Sequence, residues 1–381
     1  MVAGLLCVFQ QAAAEREQHP VLKKIQVLDS NNSPVQMRYH ALVLPQSLDE
    51  PDYRMLRERT RSAVKLGDNE WENFMLLLAW VSTRWQHDPY AQAGTSSSAL
   101  DILLQAEHGQ RFSCVEYSKV LRDALIANGY AARTVSIQRK DTAYAGMGSA
   151  HVVVEAWSNT WDQWIYLDPQ WGLFARYQDK PLNVYEIYQL KQQGLFDNIE
   201  WVGVVDGRPI DQNEYRQFLV EYFGYISVSA RQDNSPVNLL LGLEGRQWPL
   251  TFQGLPRKSP LFSLDPADVY FSLDHTSVLL RYRMDSQPMK KQGVMEFDSE
   301  EEYLSRMPLF AALPDFDVIT KNNMPWFSYL EISRDGGQWQ RKETEPFRWL
   351  LHDGKNRLQV RAVNAAGRAG VATHIVIQYG D

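Results

Sequence analysis

A chain of 381 residues with 44% hydrophobic content is long enough to bury a sizeable core and to divide into two or three domains. A formal charge of -7 argues against a general nucleic-acid binder, and local basic pairs such as Arg139-Lys140 read as solvated surface. The two cysteines, Cys7 and Cys114, supply no disulfide framework, so composition leaves both reducing and oxidising compartments open.

The first residues, Val2-Ala3-Gly4-Leu5-Leu6-Cys7-Val8-Phe9 and then Ala12-Ala13-Ala14, resemble the apolar core and small-residue cleavage site of a secretory signal, without its basic leading region. Residues 1–14 are therefore expected to direct export to the periplasm or the extracellular space. The alternative is a frayed N-terminal helix on a cytoplasmic chain. Bulky Leu6 directly before Cys7 speaks against lipidation, and no later apolar run reaches membrane-spanning length.

Asn69 opens a helix in which Trp71, Phe74, Leu78, Val81 and Trp85 fall at helical spacing, a stripe that reads as core. A second helix starts near Ser98, with Asp101 three residues on, and stops at Gly109. It leads into Arg111-Phe112-Ser113-Cys114-Val115-Glu116-Tyr117, the start of a third helix expected to run to Asn128, with Tyr117, Leu121 and Leu125 on one face and Gly129 as its stop. Cys114 then sits at a helix N-terminus, where orphan amides and the positive dipole end favour a thiolate; paired catalytic cysteines reach pKa values of about 3 to 4.

Residues 132–137 and 150–157 are rich in β-branched side chains and read as strands, and a third, Trp164 to Asp168, follows the polar turn 158–163. His151 and Asp168 thus lie at opposite ends of an antiparallel hairpin and become neighbours in space. The order Cys114, His151, Asp168 reads as nucleophile, base and orienting acid: a thiolate attacks a carbonyl, an imidazole moves the proton, and a carboxylate fixes the imidazole tautomer. Upstream, the indole of Trp85 and the amide of Gln86 are candidate oxyanion donors, with plain packing as the alternative. His87 competes as the base but lacks a strand context.

The cysteine helix, the run Gly129 to Arg133, the His151 strand and the Asp168-Pro169 exit resemble the transglutaminase-like domain of the papain-like cysteine fold, over roughly residues 65 to 190. Trp85-Gln86-His87, Cys114-Val115-Glu116-Tyr117, His151-Val152-Val153 and Leu167-Asp168-Pro169-Gln170 are similar to bacterial members of that group. The resemblance implies Cys114 as nucleophile, His151 as base and Asp168 as orienter. Phe112 departs from the pattern, since many relatives carry a glycine two residues before the cysteine.

Asn183 with Glu186 caps a further helix through Leu190, and Tyr215 to Phe223 reads as the last helix before turn formers cluster at residues 231–236. A domain boundary is expected there. Beyond it, 269–273, 278–282, 358–363 and 374–377 alternate like strands, with turns at Asp335-Gly336-Gly337, Asp353-Gly354 and Ala366-Gly367. The expected fold is α+β: a papain-like, transglutaminase-like domain over 15–235 with an N-terminal extension, then a β-sandwich region over 236–381 ending in an immunoglobulin-like module from Tyr329 to Tyr379. Trp339 and Trp349 read as strand packing, not carbohydrate recognition.

No metal-binding motif or phosphate-cradling glycine loop occurs, so neither metal nor cofactor is expected. The functional expectation is a thiol-dependent acyl-transfer enzyme that hydrolyses amide or peptide bonds in a protein or peptide substrate, a peptidase or amidase. Its alternatives are a cross-linking protein-glutamine transglutaminase and a non-catalytic binding scaffold. Oligomeric state is left open.

Overall fold

The computed structural model describes residues 23–35, 42–146, 148–232, 235–245, 259–283, 295–307, 310–343 and 345–380. The leader reading of residues 1–14, with Cys7, lies outside the described residues.

In chain order the elements begin with β1 (Ile25–Ser30), α1 (Pro51–Ala63), α2 (Glu70–Ser82), α3 (Ala99–Glu107) and α4 (Cys114–Ala127). Then follow β2 (Ala132–Gln138), β3 (Ala150–Ser158), β4 (Gln163–Asp168), β5 (Leu173–Tyr177), β6 (Lys180–Pro181), α5 (Val184–Gln192), β7 (Glu200–Gly203), α6 (Gln212–Leu219), β8 (Tyr225–Gln232), β9 (Ser235–Gly242) and β10 (Ser259–Ser263). The last part holds β11 (Thr276–Tyr282), α7 (Glu300–Arg306), β12 (Asp315–Asn322), β13 (Phe327–Arg334), β14 (Gln340–Lys342), β15 (Phe347–Leu350), β16 (Gly354–Asn364) and β17 (Thr373–Tyr379).

Local chemistry sets the helix starts. Asn69 accepts the amides of Trp71 and Glu72 ahead of α2, Ser98 and Asp101 form a reciprocal capping box on α3, and Ser113 takes the Val115 amide on α4. Helix α1 has no counterpart in the sequence reading, because charged residues cover it and only Leu56 and Thr60 are fully buried. It packs along the C-terminal half of α4, where the Asn128 amide donates to the Thr60 hydroxyl at 2.9 Å.

The described strands β2 to β10 form one sheet in the order β10-β9-β8-β2-β3-β4-β5-β6, with β7 beside β5. Helices α1 to α4 bury Phe74, Leu78, Val120 and Leu121 against one face, where Val154, Ala156, Ile165 and Leu167 point. The other face, with Val153, Trp157, Trp164 and Tyr166, is covered by α5, α6 and the segment 269–273. Burying a large apolar side chain contributes about 1.5–3 kcal/mol, so this double cover is what makes the central strands the stable base of the site.

Two expectations are corrected here. Where a boundary was expected at 231–236, Arg231 and Gln232 at the end of β8 pair with Pro236 and Ser235 at the start of β9, and the same sheet runs on through β9 to β10, which pairs with β9 in parallel. Residues 269–273 alternate as read, with Val269, Phe271 and Leu273 buried, but they form no strand. Side chains take their carbonyls instead: Arg133 donates to Val269 O at 2.7 Å and the Trp164 indole to Phe271 O at 3.2 Å.

The remaining strands form a sheet in the order β1-β17-β16-β13-β14 and a second in the order β11-β12-β15. Both feed one apolar cluster, with Val278, Val318 and Trp349 from the smaller sheet and Leu330, Val360 and Ile377 from the larger. This β-rich region starts well before Tyr329 and recruits β1 from the other end of the chain, which sequence separation hides. It docks on the helical unit where Asn364 donates to Gly129 O at 2.9 Å, Asn159 to Ala369 O at 3.1 Å and the Trp326 indole to Pro45 O at 3.0 Å.

Candidate active site

Cys114 is the first residue of α4, partly exposed and with a free thiol. The chain upstream is laced to this helix start. Asp88 N donates to Phe112 O at 3.0 Å, Ser113 N to Ala91 O at 3.1 Å, and Ala93 N to Glu116 Oε1 at 2.9 Å, while the Ser113 hydroxyl donates to Glu116 Oε2 at 2.8 Å. Glu116 is buried, and its two oxygens tie the 87–93 segment to the first turn of α4. Ser118, one turn on, donates to Val152 O at 2.7 Å and so fixes α4 against β3.

The β3–β4 pairing aligns Val154 with Leu167 and Glu155 with Tyr166. With a side-chain period of two, His151 and Asp168 project to the same face of the sheet. His151 Nε2 lies 2.7 Å from Asp168 Oδ2, and the Cys114 sulfur is near enough to act on the imidazole. With Nε2 committed to the carboxylate, Nδ1 is the nitrogen left to face the sulfur.

Asp168 is completely buried. Oδ1 accepts the amides of Gln170 and Trp171 at 3.0 and 3.2 Å, and Oδ2 accepts the Tyr215 hydroxyl at 2.7 Å beside the imidazole. Burial pulls the His151 imidazole down, but the Asp168 carboxylate and the nearby Cys114 sulfur outweigh it and push it up to about 10 from 6.5. The Asp168 carboxylate and the nearby sulfur thus favour the charged form of His151.

His87 is also drawn to this end of the molecule through its backbone bridge to Phe112. Burial, and then the charge of His151, hold its imidazole below the ordinary value, and the carboxylate Asp168 pairs with His151 instead. Trp85 is buried with its ring 4.5 Å from Tyr117 and 5.7 Å from Phe112, and its indole N–H has no partner among the described residues. Gln86, next to it, is exposed. Phe112 is fully buried against Trp85, so the bulky departure from the family pattern fills the helical core.

Tyr215 and Phe218 on α6 were missed as site residues. Phe218 sets its ring edge-on to His151 at 5.0 Å, and Tyr215 reaches the carboxylate. Helix α6 begins three residues earlier than read, because Asp211 caps it by accepting the amides of Asn213 and Glu214, and it ends at Leu219, not Phe223. No local signal links Tyr215 to an aspartate 47 residues before it.

Residues 57–169 match the family model of the transglutaminase-like superfamily, so the chain carries a transglutaminase-like domain over that stretch. The match includes Trp85, Cys114, His151 and Asp168 and stops one residue past Asp168. No curated protein matches the chain. Among the described residues, no group of three or more His, Cys, Asp or Glu side chains is placed to hold a metal ion, and no helix is long and apolar enough to cross a membrane.

Proposed function

We propose that the transglutaminase-like domain is a thiol-dependent acyl-transfer enzyme that cleaves amide bonds in a peptide or protein substrate, with Cys114, His151 and Asp168 as its triad. The observation that carries this reading is the His151–Asp168 pair, 2.7 Å apart, with Cys114 beside it at the N-terminus of α4. The thiolate attacks the substrate carbonyl carbon and the electron pair of the carbonyl moves onto oxygen. Amides of the first turn of α4 and the Trp85 indole, which has no partner among the described residues, are the donors that would receive this oxyanion, with the exposed Gln86 as a third candidate. As the C–N bond breaks, the proton on His151 Nδ1 passes to the leaving amine and a thioester remains. Water then adds to the thioester, His151 takes its proton, and the carboxylic acid leaves with the thiolate restored.

Hydrolysis is the proposed fate of the thioester, because water requires no dedicated second-substrate site. The apolar opening of the chain supports export as the setting, which N-terminal sequencing of the protein recovered outside the cytoplasm would test by the loss of residues 1–14.

The test is the pH dependence of Cys114 alkylation by iodoacetamide, read by peptide mass so that Cys7 is scored apart. Alkylation that stays fast below about pH 6 in the wild type and is lost in His151→Ala supports the triad. Slow alkylation with an ordinary thiol profile in both defeats it and favours a binding scaffold. Incorporation of a labelled amine into protein glutamines would replace hydrolysis with cross-linking.

A further inference from the structure

The proton inventory around Asp168 is unusually constrained. A carboxylate brings acceptors only, and each phenol brings one proton. The hydroxyls of Tyr166 and Tyr215 touch each other, and Tyr215 also touches Asp168 Oδ2. With one proton per phenol, the series in which both are used runs from Tyr166 to Tyr215 to Asp168. Both phenols are fully buried, and burial together with the Asp168 charge pushes them well above 10, so neither surrenders its proton in the working range.

Helix α6 holds this donor from outside the stretch that matches the transglutaminase-like family. Its Tyr215 and Leu219, one turn apart, are both buried. The Trp201 ring stands 4.8 Å from Tyr215, the Trp171 ring 5.2 Å away, and Phe218 on the same helix closes over His151. The carboxylate–imidazole pair is thus braced by polar contact through one hydroxyl and by apolar contact through one ring.

We infer that Tyr215 is a positioning residue of the reaction centre: its hydroxyl, itself held by Tyr166, supports the Asp168 charge and through it the imidazolium that maintains the Cys114 thiolate. The inference rests on the proposed triad. Two backbone amides hold Oδ1, so without Tyr215 the carboxylate keeps its place but loses one of its two donors on Oδ2. With that donor gone the carboxylate supports the imidazolium less, and the imidazolium–thiolate pair is expected to be lost at higher pH.

The experiment compares Cys114 alkylation against pH in the full chain, in Tyr215→Phe and in Trp201→Phe. Tyr215→Phe keeps the ring and deletes the oxygen; Trp201→Phe loosens the packing on that ring and leaves the hydroxyl. The acid midpoint is expected to rise by about one pH unit in Tyr215→Phe, making alkylation about tenfold slower below it. In Trp201→Phe the midpoint is expected to stay in place even though the melting temperature falls. An unmoved midpoint in Tyr215→Phe, or an equal shift in both variants, overturns the positioning role while the wild-type profile keeps the triad. A wild type without fast alkylation below about pH 6 overturns both.

Discussion

Asp168 and Asp274 are both taken out of water, and they are treated in opposite ways. Asp168, inside the transglutaminase-like sheet, meets two backbone amides, an imidazole and a phenol. Asp274 lies at the junction with the β-rich region, near the Asn159 side chain, and its Oδ1 has no partner among the described residues. The same contrast extends to their neighbours. Glu155 in the sheet is paired with Arg133 at 2.7 Å and accepts from Val184 N and the Tyr270 hydroxyl, whereas the Nε of Arg368 at the junction has no partner among the described residues. A cavity of about 520 Å³ opens at that junction, lined by Asp68, Glu70, Tyr130, Asn159, Asp274 and Arg368. The buried carboxylates of the sheet are matched by strands and turns whose geometry is set together; the buried carboxylate at the junction is matched only as well as docking allows.

The largest expected break in this contrast comes from Arg133→Ala. It leaves Glu155 buried without its cation and removes the guanidinium stacked 4.1 Å over Trp164, so stability should fall by about 3–5 kcal/mol in denaturant melts. A loss under about 1 kcal/mol would mean that Val184 N and Tyr270 alone can hold the charge.

Asp168→Asn comes next, and its main effect is on reactivity. The amide cannot accept from four donors or support an imidazolium, so Cys114 alkylation at pH 6 should slow by two orders of magnitude or more, on the scale of about 10⁴ for loss of an orienting carboxylate. Wild-type rates in this variant would remove Asp168 from the triad.

Asp274→Asn should act the other way. Burial pushes the Asp274 carboxyl up, with Asn159 pulling it down and Glu70 adding to the rise, to about 7 from 3.8. The folded chain therefore keeps a proton that the unfolded chain releases, and stability falls as pH rises from about 4 to about 7 and stays low above it. The asparagine cannot titrate, so at pH 8 the variant should be more stable than wild type by on the order of 3 kcal/mol, with little difference at pH 4. His151 is separable, because its raised value gives stability that is complete below 6.5 and is lost as pH rises through about 10. A wild-type stability that is flat between pH 4 and 7 would show that Asp274 finds a partner in solution.

The smallest effect is expected from Gly129→Ala. Gly129 ends α4 at φ 85°, and a Cβ there would stand 2.3 Å from the Ala366 Cβ across the junction. A loss of about 1–2 kcal/mol, with faster limited proteolysis of the 364–370 turn, would show that the two units are held together at this point. Unchanged proteolysis would place the hold elsewhere.

Much of the candidate site could be read from local signals. Ser113 as a cap, Cys114 at a helix start, Gly129 as the stop and the β-branched runs around His151 and Asp168 are all decided within a dozen residues of themselves. Capping hydrogen bonds and side-chain period act over one turn or one strand, so those elements stand within a residue or two of expectation. Helix α1 was illegible because its charged surface carries only a narrow apolar stripe, and residues 269–273 read as a strand because burial alternates there without a partner strand.

Order along the chain and local periodicity specified the helix that carries Cys114 and the hairpin that carries His151 and Asp168, since both depend on backbone and side-chain preferences of near neighbours. The approach of Tyr215 to Asp168, the recruitment of β1 beside β17 and the stranding of Asp274 at the junction came only with the folded molecule. These contacts join residues far apart in sequence, and they are selected by how whole layers pack, which no local pattern encodes.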